Sequence, residues 1–114
     1  MFSLKWHRLM GESEVIPGKV QVHKVLGRLV GITSIDGSVY VFDGRCPHAG
    51  RSLEDSVVTP GGTVVCPRHG LRLFLCPQPC PAGAMPLARY AFRICNGHIE
   101  IDRQALLRRY TQKI

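Results

Sequence analysis

Two short motifs that each combine a cysteine with a histidine are the strongest constraint on how this chain can fold. The first is Cys46-Pro47-His48 and the second is Cys66-Pro67-Arg68-His69, with seventeen residues between His48 and Cys66. Each motif follows a predicted strand, and a predicted hairpin over residues 57–65 brings the two loops side by side. The fold must therefore bring two thiolates and two imidazoles to one point.

The rest of the chain has the pattern of short β-strands joined by turns. Asp36-Gly37, Gly61-Gly62 and Asn96-Gly97 each lie between two runs of β-forming residues, and each pair is typical of a hairpin turn. The predicted strands cover residues 20–26, 29–32, 38–42, 57–59, 63–65, 90–94 and 98–101. This spacing predicts an all-β fold, an antiparallel β-sandwich or small barrel. A length of 114 residues leaves room for one domain, over residues 1–114.

Two irregular segments and the C-terminal tail depart from the strand pattern. Residues 44–55 and 66–85 hold the two motifs, and loops of this length inside a small domain are usually functional. We expect them to form a metal-binding subdomain on the β-scaffold. Residues 102–113 predict a short helix with Asp102 as its N-cap and an apolar face, which consists of Leu106, Leu107 and Tyr110.

Composition excludes several functional classes. The net charge of +7 suggests nucleic-acid binding, but the fifteen Lys and Arg residues are dispersed and no aromatic-interleaved basic run occurs. The apolar runs are far shorter than the roughly 20 residues of a membrane span, and residues 1–10 lack the apolar core of a signal peptide. We therefore expect a cytoplasmic protein that binds neither nucleic acid nor membrane. In a reducing compartment its five cysteines are thiols or metal ligands.

The arrangement of ligands bears on the kind of metal. Zinc accepts two thiolates and two imidazoles, but structural zinc sites usually pair like ligands through C-x2-4-C and H-x3-5-H. Here each short motif mixes cysteine with histidine, and neither segment has a helical pattern. The mixed arrangement favours a binuclear centre, and a zinc site stays open as the alternative.

The double motif resembles that of the Rieske iron–sulfur proteins, whose two loops have the patterns C-x-H and C-x-x-H. In that family two histidines replace two cysteines on one iron of a [2Fe–2S] cluster. The resemblance implies one cluster per chain, with Cys46 and Cys66 on one iron and His48 and His69 on the other. It also implies a Rieske-like fold with a cluster-binding subdomain formed by the two loops.

Further segments are similar to the soluble Rieske-type ferredoxins that serve ring-hydroxylating oxygenases. They are Trp6, Ile16-Pro17-Gly18, Asp36-Gly37-Ser38-Val39-Tyr40, Cys-Pro-His-Ala-Gly at residues 46–50, and Pro86-Leu87-Ala88-Arg89-Tyr90. The resemblance implies a monomeric ferredoxin, an electron transport component of a dioxygenase system. It would carry one electron at a time from a flavoprotein reductase to a terminal oxygenase.

An oxygenase activity of the chain itself is not expected. That chemistry needs a mononuclear iron held by two histidines and a carboxylate in a much larger domain. Beyond the two motifs only His7, His23 and His98 remain, and they are dispersed. Two other functions stay open: the small subunit of an assimilatory nitrite reductase, whose fold is similar, and a zinc-stabilised binding module.

The chain also departs from the high-potential Rieske proteins. The positions of their disulfide cysteines hold Arg51 and Arg68, and the positions of their hydroxyl donors correspond to Leu71 and Leu73. Four arginines in or beside the loops predict a positive collar for an acidic partner: Arg45, Arg51, Arg68 and Arg72. The motifs leave Cys76, Cys80 and Cys95 without an assigned role, and we expect them to be free thiols.

Fewer hydrogen bonds to the sulfur atoms of a cluster lower its reduction potential. We therefore predict a potential in the negative part of the Rieske range, which spans about −150 to +300 mV. Protein-film voltammetry at pH 7 measures this potential. A clearly positive value would contradict the assignment to the low-potential group.

Overall fold

The computed structural model describes residues 5–46, 50–66, 72–75 and 85–106. Within these ranges the chain forms short strands, a single 3-10 turn at Glu12–Glu14 and one helical turn over residues 103–106. The strands are β1 (Trp6–Gly11), β2 (Gln21–Val25), β3 (Arg28–Ile35), β4 (Ser38–Asp43), β5 (Val57–Val58), β6 (Thr63–Val65), β7 (Arg72–Phe74), β8 (Met85–Pro86), β9 (Phe92–Cys95) and β10 (His98–Asp102). The prediction of an all-β fold is confirmed.

Two compact units divide the chain, Met1–Val15 with Tyr90–Ile114, and Ile16–Arg89. The first unit holds an antiparallel sheet of order β1-β10-β9. Asn96-Gly97 joins β9 to β10 with φ angles of 51° and 77°, as a type I′ turn requires. The prediction of one domain over residues 1–114 stays a prediction.

The start of the predicted C-terminal helix is confirmed. Asp102 Oδ1 accepts hydrogen bonds from the backbone N–H groups of Gln104, at 2.9 Å, and Ala105, at 3.3 Å. These are orphan donors of a first helical turn, so Asp102 is the N-cap. Leu106 is buried as expected, whereas Leu107 and Tyr110 lie outside the described residues.

The second unit is built on an antiparallel sheet of order β2-β3-β4. Asp36-Gly37 is the predicted turn between β3 and β4. The boundary predicted for the first strand was wrong, because β2 ends at Val25 and Leu26-Gly27 forms a turn with φ angles of 52° and 80°. The apolar character of Leu26 extended the predicted strand by one residue. The chain reverses before that point, because Gly27 readily adopts the positive φ that the turn requires.

A second sheet in the same unit has the order β5-β6-β7-β8. The hairpin between β5 and β6 is confirmed, but its turn also includes Pro60: Gly62 N–H donates to the Thr59 carbonyl at 2.9 Å. The pairing is mostly antiparallel, as the sequence predicts, and β7 and β8 form a parallel pair within this sheet.

Hydrogen bonds outside the named strands connect the two sheets of this unit. Val20 N–H donates to the Ser56 carbonyl at 3.0 Å, and Asp43 N–H donates to the Ala88 carbonyl at 2.8 Å. The sheets enclose one core cluster of buried residues, which consists of Val20, Phe42, Cys46, Leu53, Val58, Val64, Cys66, Leu73, Leu75 and Leu87. Both motif cysteines are therefore part of the core.

Two glycines allow β3 and β4 to pack closely at this core. A Cβ added to Gly31 would lie 2.5 Å from Cε2 of the fully buried Phe42 ring. A Cβ added to Gly44 would lie 3.0 Å from the backbone nitrogen of Gly31. Because a buried ring and a backbone have little freedom to move, both positions require glycine.

A search for helices able to cross a lipid bilayer, restricted to the described ranges, finds none of sufficient length and apolarity.

We predict that Gly31→Ala lowers the free energy of unfolding by about 1–3 kcal/mol, the usual effect of overpacking a core. Gly61→Ala is the matched control, since nothing lies within 4 Å of a Cβ at that position. Urea denaturation of both variants measures the difference. The double variant Gly31→Ala/Phe42→Leu should recover part of the loss, and equal stability of the two single variants would contradict the packing argument.

Candidate metal centre

The first motif begins at the root of a narrow loop. Leu53 N–H donates to the Gly44 carbonyl at 2.8 Å, and Cys46 N–H donates to the Arg51 carbonyl at 2.8 Å. Gly50 N–H donates to the Cys46 carbonyl at 2.7 Å, with Gly50 at a φ of 70°. Both backbone polar groups of Cys46 are therefore hydrogen-bonded to the returning side of the loop.

The root of this loop is anchored on β3. Gly44 N–H donates to the Leu29 carbonyl at 2.9 Å, which continues the β3–β4 ladder by one residue. The close approach of Gly44 to the β3 backbone leaves no space for lateral movement. Cys46 thus emerges two residues beyond a rigid point of the sheet.

The second motif begins in an equivalent position. The last pair of the β6–β7 hairpin joins Val65 to Arg72, so that Cys66 is the first residue beyond the paired strands. Each motif cysteine therefore lies at the root of a loop that connects two antiparallel segments. The structure confirms the expectation that each motif follows a strand: Cys66 comes directly after β6, and Cys46 comes three residues after the end of β4.

The two thiols are buried in the same core cluster. Cys46 is 1% exposed and Cys66 is 3% exposed, and neither forms a disulfide. An apolar core penalises net charge. Two ferric ions, two sulfides, two thiolates and two neutral imidazoles sum to zero charge, so this donor set fits a buried binuclear iron–sulfur centre.

The structure does not test the whole ligand set. His48 and His69 lie outside the described residues, as do Arg68, Leu71, Cys76 and Cys80. Among the residues that are described, no group of three or more His, Cys, Asp or Glu side chains can hold a metal ion. The structure therefore describes the cysteine half of the predicted site.

Two further residues singled out from the sequence, Leu73 and Cys95, lie within the described ranges. The resemblance to high-potential Rieske proteins implies a hydroxyl donor at the position of Leu73. Leu73 is fully buried in the core cluster and supplies no polar hydrogen. Cys95 is a free thiol in the first unit, as expected, and it is half-buried.

The arginines at the loop roots differ in their surroundings. Arg45 lies beside Asp43, with 3.8 Å between Arg45 Nε and Asp43 Oδ1, and its backbone N–H donates to the same oxygen at 3.1 Å. Arg51 and Arg72 are exposed. The contact between Asp43 and Arg45 was not predicted, although an acidic residue two positions before Arg45 in the sequence could have indicated it. Of the four arginines predicted to form a positive collar, Arg51 and Arg72 are therefore the exposed ones in the described part of the chain.

Comparison with known proteins identifies the family. A family model described as the Rieske [2Fe–2S] domain matches residues 5–82. The ferredoxin component of the naphthalene 1,2-dioxygenase system of Pseudomonas putida is 24% identical over 102 residues, which cover 88% of this chain and 97% of that protein. Cholesterol 7-desaturase of Xenopus laevis is 35% identical over 66 residues, or 57% of this chain, and the match spans only 14% of that protein.

A solved structure has the same fold. It is a chain of the complex of reduced oxygenase and oxidized ferredoxin in carbazole 1,9a-dioxygenase, with a TM-score of 0.72 and 18% identity over 88% of this chain and 94% of that one. The family match includes both loops with the two buried thiols. The chain therefore belongs to the Rieske [2Fe–2S] domain family, and its cofactor is a Rieske-type [2Fe–2S] cluster.

Proposed function

We propose that this protein is a ferredoxin that carries single electrons from a flavoprotein reductase to a terminal oxygenase, in a system for ring hydroxylation. The observation that carries the proposal is the burial of two free thiols, Cys46 and Cys66, at the roots of two loops in one core. The match to a dioxygenase ferredoxin along nearly its whole length supports the electron-carrier role. The solved complex of an oxygenase with a ferredoxin of this fold supports the choice of partner.

We assign Cys46 and Cys66 to one iron and His48 and His69 to the other. The bound cluster supplies one-electron chemistry, because a neutral oxidised centre takes up a single negative charge on reduction. The protein contributes a buried support: the backbone hydrogen bonds of Cys46 and the β6–β7 hairpin hold the two cysteines at the roots of their loops. Packing of both cysteines in the core limits the rearrangement that accompanies electron transfer.

A catalytic role in substrate chemistry is not part of the proposal. The homologues of this length are ferredoxin components of dioxygenase systems. We expect the protein to act as a cytoplasmic monomer that meets its two partners in turn.

The ligand assignment predicts the effect of single substitutions. Cys46→Ala and Cys66→Ala should each abolish iron binding, because the remaining thiolate cannot hold the cluster, and His48→Ala and His69→Ala should deplete it. Cys95→Ala is the matched control, a free thiol in the first unit. Iron and sulfide analysis, with the visible absorption spectrum, measures the content. Wild-type protein that is colourless and holds stoichiometric zinc would instead support a zinc-stabilised module.

The arginines predict a salt-dependent encounter with the oxygenase. Electrostatic steering by Arg51 and Arg72 raises the association rate, and salt screens it over about 8 Å at physiological ionic strength. We expect the double variant Arg51→Gln/Arg72→Gln to slow electron transfer several-fold at low salt, with no difference from wild type at high salt. Stopped-flow absorption measures this rate.

Arg8→Gln is the control for this experiment, because Arg8 is exposed and belongs to β1 of the first unit, outside both loops. A wild-type rate that does not change with ionic strength would contradict the electrostatic part of the proposal. It would leave the ligand assignment intact.

A further inference from the structure

Ser56 has a buried hydroxyl group without a hydrogen-bond partner. The residue is 1% exposed, and within the described part of the chain its Oγ atom neither donates nor accepts a hydrogen bond. Its backbone is satisfied, because the Ser56 N–H donates to the Leu53 carbonyl and the Ser56 carbonyl accepts from Val20 N–H, both at 3.0 Å. Buried polar groups in native proteins are almost always hydrogen-bonded, so the orphaned hydroxyl indicates a missing partner.

A second buried hydroxyl in the same unit has the usual arrangement. Thr33 is fully buried, and its Oγ1 atom donates to the Lys19 carbonyl at 2.8 Å. The fold therefore provides a backbone acceptor for the hydroxyl of Thr33 and none for that of Ser56. This contrast points to a partner of Ser56 that forms only when the site is complete.

The register of the β5–β6 hairpin places Ser56 beside Cys66. The last pair of this hairpin joins Val57 to Val65, so the next step along the two strands brings Ser56 level with Cys66. Side chains alternate between the two faces of a strand, and exposure changes from 1% at Ser56 to 55% at Val57 and 7% at Val58. Cys66 is 3% exposed and shares the core cluster with Val58. Ser56 and Cys66 therefore face the same core.

The hydrogen-bond pattern of the hairpin brings this pair of side chains close together. Thr59 N–H donates to the Thr63 carbonyl at 2.8 Å, so residues 59 and 63 form a hydrogen-bonded pair. Such pairs alternate with pairs of the other kind, in which the side chains approach more closely. The level of Ser56 and Cys66 is of that closer kind, for which Cβ atoms of opposite residues are about 4.5–5.5 Å apart. A hydroxyl that rotates about the Cα–Cβ bond can reach a sulfur atom at this separation.

We propose that the Ser56 hydroxyl donates a hydrogen bond to Sγ of Cys66 when this thiolate holds iron, and that the bond raises the reduction potential of the cluster. A neutral thiol is a weak acceptor, whereas hydrogen bonds to charged acceptors are stronger. Reduction adds negative charge to the cluster and its sulfur ligands, so the donor stabilises the reduced state more than the oxidised state. The proposal rests on the ligand assignment in the proposed function and deepens it, because it names a residue outside both motifs that sets the potential.

The test replaces Ser56 by Ala, which removes the hydroxyl with little change in volume. The equilibrium constant for one-electron reduction should fall about tenfold, which shifts the reduction potential by about 59 mV to more negative values. Protein-film voltammetry of the loaded protein at pH 7 measures the shift. Iron and sulfide contents should stay at the wild-type level, because all four proposed ligands are retained. Ser56→Thr keeps the hydroxyl, and its potential should lie closer to that of wild type than to that of Ser56→Ala.

Thr33→Val is the matched control, because it removes a buried hydroxyl whose acceptor is a backbone carbonyl. This variant should have a lower Tm and the wild-type reduction potential. A wild-type potential in Ser56→Ala, or an equal shift in Thr33→Val, would overturn the hydrogen bond alone. An unchanged cluster content in Cys66→Ala would overturn the ligand assignment as well.

Discussion

The close packing of β4 on β3 is the constraint on which the candidate metal centre depends. Gly31 leaves space for the Phe42 ring, and Gly44 brings the end of β4 against the β3 backbone. The hydrogen bond from Gly44 to Leu29 then sets the point from which the first loop departs. Because Phe42 belongs to the same core cluster as both motif cysteines, a displacement of the ring would be transmitted to the thiols.

The burial of the two thiols explains how a scaffold of short strands suits an electron carrier. Core packing and backbone hydrogen bonds hold Cys46 and Cys66 in place, so the protein has little to rearrange when charge arrives or leaves. A low-dielectric environment tolerates the neutral oxidised cluster of this donor set. Leu73 is fully buried, and the resemblance to high-potential Rieske proteins implies a hydroxyl donor at this position, which is the basis for the predicted low potential.

In the second unit, the positions of individual charged residues are more informative than the net charge of the chain. The overall excess of basic residues gave no indication of where a partner would bind. At the loop roots Arg51 and Arg72 are exposed, while Asp43 lies beside Arg45. In the proposed function, the exposed arginines act chiefly on the rate of association with a partner.

Much of the fold could be predicted from residue patterns within short stretches of the sequence. Asp36-Gly37 and Asn96-Gly97 identified two hairpins, because the backbone conformation of a type I′ turn selects these residue types. The cap at Asp102 was equally local. The strand β1 was not predicted, because it is stabilised by pairing with β10, which is distant in the sequence. The parallel pair β7–β8 was not predicted either, because neither segment has an alternating pattern of apolar and polar residues.

The amino-acid sequence by itself indicated the family of this protein, since the spacing of two Cys and two His residues resembles the Rieske motifs and predicts a ligand set. Only the tertiary structure decided that Cys46 and Cys66 share one buried core. The physical reason is that ligand type is a property of side chains along the chain. Burial and proximity depend on strand register, which hydrogen bonds between distant residues establish.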